Sequence, residues 1–174
     1  MNIAMPKPQE CNLNGTLINI RPISPEDTKL ESEFVHQLSA ETKHYRFLGG
    51  INDLSAKALQ YLCDVDGEES MAFVATVNEQ GKETEIGVSR YTKGDEKGLH
   101  EMAVTIADSW QDKGLDTLLT EHLLDYARLH GVTRLYAVEL NDNYHMAHLA
   151  VELGMSKATD PEDIHQVIYS LVLS

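Results

Sequence analysis

Three features of this chain have residue types and spacings that could do chemistry. The first is the run Gln111-Asp112-Lys113-Gly114-Leu115-Asp116, which opens a stretch of helical period. A helix starting near Asp112 presents unpaired backbone N–H groups and the positive end of its dipole, and that is an anion-binding terminus. Gly114 would remove a side chain where backbone approaches such an anion, and taken alone it reads equally as incidental to the first turn. The second is His145 and His148, spaced i, i+3, which could face the same way on a helix. No carboxylate completes a His-Glu-x-x-His pattern, so polar helix surface is the better reading and no metal is expected. The third is Cys63, which has no His or Asn motif around it and falls on an apolar helix stripe, so it reads as core. No Ser-His-Asp arrangement is legible, and the run at Gly81 lacks the spacing of a phosphate loop.

The elements that must position these residues follow from period and punctuation. Leu17–Ile23 alternates as a strand, after which Ser24, Pro25, Glu26 and Asp27 supply an N-cap, a proline at N1 and first-turn acids. The following helix carries Leu30, Phe34, Val35 and Leu38 on one stripe. A second helix runs from Ser39 toward Phe47 and stops at Gly49-Gly50, and Ser55 caps a third with Leu59, Leu62 and Cys63 inward. Strands are expected over 71–77, 83–92 and 99–107, joined by turns at 79–82 and 94–98. From Gln111 the period becomes helical, with Leu115, Leu118, Leu119, Leu123, Tyr126 and Ala127 on one face and Gly131 past the end. A strand over 133–140, a helix over 143–153 closed by Gly154 and a strand over 165–173 complete the chain. Hairpin-paired strands and helix-linked strands both occur, which makes this an α/β (α+β) fold with a mixed sheet. Residues 1–15 show no period and read as a flexible leader, with one domain over 16–174.

At 174 residues a single core is expected. Two distant cysteines do not make a disulfide framework, the N-terminus has no signal-peptide pattern, and no apolar run could span a bilayer. These point to a cytoplasmic protein. A formal charge of −14 argues against nucleic acid or anionic membrane as a partner, since phosphate binding needs clustered Lys and Arg. Such a charge has two readings: it attracts a basic substrate, or it is no more than a solvated acidic surface.

Three stretches in order resemble a known family. HEMAVTIADSWQDKGLDTLLTEHLLDYARLHGV resembles the central motif of the Gcn5-related N-acetyltransferases (GNAT), NYHMAHLAVELGM their closing helix, and LINIRPISPEDTKLESEFVHQLSAETKHYRFLGG the opening of the acetyltransferase domain of bacterial protein lysine acetyltransferases. The similarity covers nearly everything from Leu17 onward. It implies the GNAT fold, a mixed and mostly antiparallel six- to seven-stranded sheet flanked by helices with splayed central strands. It implies acetyl-CoA as co-substrate and a primary amine as acceptor, on a small molecule or a protein lysine, and a homodimer is a common state of such domains. By position, Val104, Thr105 and Ile106 would contact the pantetheine arm by backbone, Gln111, Asp112, Lys113, Gly114, Leu115 and Asp116 the pyrophosphate, and Asn143 the cofactor, although Asn143 is also a good helix cap. The resemblance also puts Glu101 at the place of the family's general base, although it reads too as an acid on the solvent face of a strand, and N–H groups near Val104 could stabilise a developing oxyanion.

Two positions depart from the family pattern. Asp116 replaces the usual Gly or Ala, and Ala150 stands where many members place a tyrosine. A carboxylate about 5 Å from a phosphate charge, at an effective dielectric near 20, repels it by roughly 3 kcal/mol, part of which Lys113 could offset. A second reading therefore stays open, a GNAT-fold binding or regulatory module with weak or lost acetyl-CoA use.

Overall fold

The computed structural model describes residues 3–50 and 53–174. The chain runs β1 (Gln9–Leu13), β2 (Thr16–Pro22), α1 (Thr28–Gln37), α2 (Ala40–Arg46), α3 (Ala56–Cys63), β3 (Ser70–Glu79), β4 (Lys82–Lys93), β5 (Leu99–Ile106), α4 (Leu115–Leu129), β6 (Arg134–Leu140), α5 (Tyr144–Glu152), β7 (Ser156–Thr159) and β8 (Gln166–Val172). One eight-stranded sheet has the order β1-β2-β3-β4-β5-β6-β8-β7. Every neighbouring pair is antiparallel except β5 with β6. No helix among the described residues is long and apolar enough to cross a membrane.

The sheet exceeds the expected six to seven strands, and two of its strands had not been expected. Residues 9–13 of the expected leader are β1, turned onto β2 by Asn14 and Gly15 at φ 52° and 89°. Two consecutive left-handed residues make the tight turn that Asn-Gly favours, and that dipeptide was the available signal for a hairpin. The other is β7, whose four residues are all exposed, so no apolar alternation marks it.

The sheet is sandwiched between two helical layers, each with its own core. On one face α4 and α5 pack Leu115, Leu119, Leu123 and Leu149 against Ile18, Met71, Leu135 and Tyr169. On the other face α1 and α3 pack Phe34, Val35 and Cys63 against Ala72, Val74 and Val88. Within this second layer lies a polar cluster. Arg90 of β4 donates to Glu31 of α1 at 3.2 Å and to the Leu62 carbonyl at 3.0 Å. Glu85 is buried beside them, and neither of its oxygens has a hydrogen-bond partner among the described residues. Burial first, and then the nearby Glu31, hold the Glu85 carboxyl well above the usual carboxylate range.

Gly98 fixes the joint between β5 and β6. Its carbonyl accepts from Thr133 N and Arg134 N, both at 3.0 Å, and its φ is +76°. A Cβ there would lie 2.4 Å from Thr133 Oγ1. Gly98→Ala therefore combines backbone strain with a clash at a point the joint cannot give up. A loss of about 2 kcal/mol is expected, read as a lower denaturant midpoint at unchanged slope.

Candidate active site

The site begins where two parallel strands part. β5 pairs with β6 only over Leu99–Glu101 against Arg134–Tyr136. Beyond that, β5 stays paired to β4 as far as Ile106–Gly87, and β6 stays paired to β8 as far as Leu140–Gln166. Each strand is held on its outer side, so the inner edges open like a wedge whose backbone groups have no sheet partner. A cavity of about 300 Å³ fills the wedge, walled by β5 residues 101–106, Val138 and Glu139 of β6, the loop before α4, the start of α5, and the end of α2.

Most of the residues singled out from the sequence converge there. Glu101, Val104, Thr105, Ile106, Gln111, Asp112, Asp116 and Asn143 all line the cavity, and Lys113, Gly114 and Leu115 do not. The Leu115 side chain is fully buried in the core, so only its backbone is available at the helix start. Lys113 donates to the Ser109 carbonyl at 2.8 Å and lies over the Trp110 ring, a placement set by local contacts and not by Asp116. Gly114 is the N-cap of α4 at φ 82°, and a Cβ on it would meet nothing within 4 Å. The chain there stays open above the helix terminus, and the first N–H groups of α4 point toward it without helical acceptors.

The loop itself is tied to α2. Asp108 accepts from the Ser39 amide at 2.9 Å, the Ser39 hydroxyl at 2.6 Å and the Thr42 hydroxyl at 2.8 Å. Burial pushes its carboxyl up, and these hydrogen bonds together outweigh that and hold it below the usual range. Gln111 donates to the Ile106 carbonyl at 3.2 Å and to Thr42 at 3.1 Å, closing the turn back onto β5. Asp112, left-handed at φ 59°, faces His145 Nδ1 at 3.4 Å. Asp116 sits at the second position of α4, where a carboxylate suits the bare dipole and opposes a phosphate.

At the joint, Glu101 is exposed, and the Tyr136 hydroxyl donates to it across a long 3.5 Å. Asn143 caps α5 by accepting from Met146 N at 3.2 Å, and its amide donates to Glu139 at 3.1 Å. So the capping role is realised, and the same side chain also borders the cavity. Burial drives the Glu139 carboxyl up to about 7, against the Asn143 hydrogen bond and the charge of Arg46. Arg46 is pushed down to about 10, chiefly by burial, and makes a cation–π contact of 5.2 Å with Phe47. Arg46 and Glu139 were not legible as site residues. Each looks like an ordinary charged position at an element's end, and only the folded chain places both on the cavity wall. Among the described residues no group of three or more His, Cys, Asp or Glu could hold a metal ion.

The chain has counterparts among known proteins. Residues 18–156 match the family model of the acetyltransferase (GNAT) domain. Acetyltransferase PA5475 of Pseudomonas aeruginosa is 44% identical over 160 residues, which is 92% of this chain and 86% of that protein. Acetyltransferase Pat of Mycolicibacterium smegmatis is 28% identical over 80% of this chain, which spans only 41% of that longer protein. The crystal structure of the GNAT domain of S. lividans PAT superposes with a TM-score of 0.85 at 25% identity, covering 95% of this chain and 97% of that one. The ribosomal-protein-S5-alanine acetyltransferase of Vibrio fischeri shares the fold, with a TM-score of 0.74 at 14% identity over 97% of this chain and 98% of that one. A wedge between parting strands, a helix start at its mouth and these matches together make the chain an acyltransferase enzyme and a member of the GNAT acetyltransferase family.

Proposed function

We propose that this chain transfers an acetyl group from acetyl-CoA to a primary amine, with a protein lysine as the expected acceptor class. One observation carries the reading: the wedge that opens at Glu101 leads along an unpaired strand edge to the start of α4. An extended arm fits that edge by backbone hydrogen bonding, as an added strand would. The N–H groups at residues 115–117 suit the arm's phosphates, and Asp116 opposes them. Bound acetyl-CoA supplies an activated thioester carbonyl. Glu101, exposed at the closed end of the wedge, accepts the proton that the attacking amine sheds, directly or through water. The acidic surface favours a basic acceptor. The acetyltransferase names of PA5475 and Pat, and the S. lividans PAT domain, agree with this reaction class.

Asp112 and Asp116 at the helix start favour a second reading, a binding or regulatory module with weakened acetyl-CoA use. Calorimetry with acetyl-CoA separates the two. Micromolar binding by the natural protein supports transfer, and Asp116→Ala is expected to tighten it about tenfold, the equivalent of roughly 1.4 kcal/mol once solvent screening is allowed for. Binding seen only in Asp116→Ala would favour the second reading.

A further inference from the structure

We infer that Glu139 is the proton donor of this cavity, delivering a proton to the leaving sulfur from the face of the sheet opposite to Glu101. The inference rests on the acetyl-transfer reading above. Its geometry comes from the strand joint. Glu101 is in register with Tyr136, and that tyrosine's hydroxyl reaches it, so the two share a face. Glu139 is three residues further along β6, and strand alternation turns it to the other face, where it meets Asn143 of α5. Continuing the parallel register places Glu139 level with Val104, between the closed end at Glu101 and the helix start at 115. The two carboxyl groups thus flank the wedge from both faces at different depths. The deeper one suits the incoming amine, and the one nearer the phosphate end suits the sulfur that terminates the arm.

The surroundings of the two groups differ as their tasks require. Glu101 is solvent-exposed, whereas Glu139 is desolvated among Asn143 from α5, Arg46 from α2, Tyr169 from β8 and Glu101 from β5. Burial and the Glu101 charge favour its neutral form, and Asn143 and Arg46 favour its anion, with a balance near 7. At neutral pH it therefore carries a proton for much of the time. Of the other cavity groups that carry a proton, the Thr105 hydroxyl is unpartnered among the described residues but a far weaker acid than a carboxyl, Arg46 holds its proton to about 10, and two more are engaged elsewhere. Tyr45 donates toward the Asp142 carbonyl, and His145 faces Asp112. In the reaction the acceptor ammonium first loses one proton through Glu101 to solvent, its nitrogen then bonds to the thioester carbonyl carbon, and Glu101 takes the second proton that this nitrogen sheds. Glu139 gives its own to the sulfur as the carbon–sulfur bond breaks and its electron pair stays on sulfur. Exchange with solvent then resets both carboxyl groups.

Glu139→Gln tests this, because glutamine still accepts from Asn143 and cannot release a proton. In ligand-free protein labelled with 13C at the glutamate carboxyl, one signal should titrate at about 7 and vanish in the variant. With acetyl-CoA and an amine acceptor, the variant should lose about 100-fold in kcat and the alkaline fall in kcat, with the acetyl-CoA dissociation constant changed less than about threefold. A Glu139 carboxyl that titrates in the ordinary range, or a variant whose kcat stays within about threefold of the natural protein, would overturn the donor role. Absence of acetyl-CoA binding by the natural protein in calorimetry would overturn the transfer reading itself, and the donor role with it.

Discussion

Glu101→Gln should retain acetyl-CoA binding and lose about 10²–10³-fold in kcat. A free lysine amine has a pKa of about 10.4, so at neutral pH it arrives as an ammonium and must lose a proton to become a nucleophile. Glu101 borders the closed end of the wedge and is exposed, so it can hold a negative charge and exchange protons through water. Glutamine keeps the shape and can still accept the long contact from the Tyr136 hydroxyl. What it lacks is the ability to take up a proton. The loss should therefore appear in kcat and in the acidic limb of the pH profile, with the calorimetric affinity for acetyl-CoA little changed. Full activity in this variant would remove Glu101 from the base role and leave water as the proton acceptor.

Arg90→Met should lower the melting temperature by an amount on the order of 10 °C near pH 8. Arg90 is 7% exposed and is the cation bonded to Glu31 within a layer that also buries Glu85. Removing the cation of such a cluster leaves a buried carboxylate uncompensated, which costs about 3–5 kcal/mol. For a chain of this length each kcal/mol is worth roughly 2–4 °C. The penalty should shrink at mildly acid pH, and the sign follows from Glu85. Its folded pKa is raised, so its contribution to stability is fully present below the unfolded value of about 4.3 and is lost as pH rises through the folded value. Without Arg90 that folded value climbs further, and protonation relieves more of the strain. Thermal scans of natural and variant protein at about pH 5 and pH 8 would show it. An equal fall at both values would mean that lost packing, not charge, explains the effect.

Much of the architecture could be read from period and punctuation. Every expected strand and helix is present, because each has a strong local signal: the Ser-Pro-Glu-Asp start before α1, the leucine stripe of α4, and Gly131 and Gly154 past helix ends. The missed strands had weak apolar patterns. β1 exposes three of its five residues and β7 all four, so their place depends on backbone pairing with β2 and β8. Backbone pairing leaves no mark on side-chain type, although Asn14-Gly15 did signal a hairpin.

The same division holds for the site. The helix start after residues 111–114 and the Asn143 cap were legible because helix starts and caps demand particular residues at particular places. Their convergence around one wedge was not, since it depends on β5 and β6 separating after three paired residues. The turning of Lys113 onto Trp110, the burial of Glu31 and Glu85 around Arg90, and the desolvation of Glu139 all arise from how the folded chain closes on itself. A charged residue's local sequence says that it is charged. Whether that charge faces water, a partner or a cavity is decided only when other elements close around it, because desolvation and Coulomb energies depend on distances the chain reaches by folding.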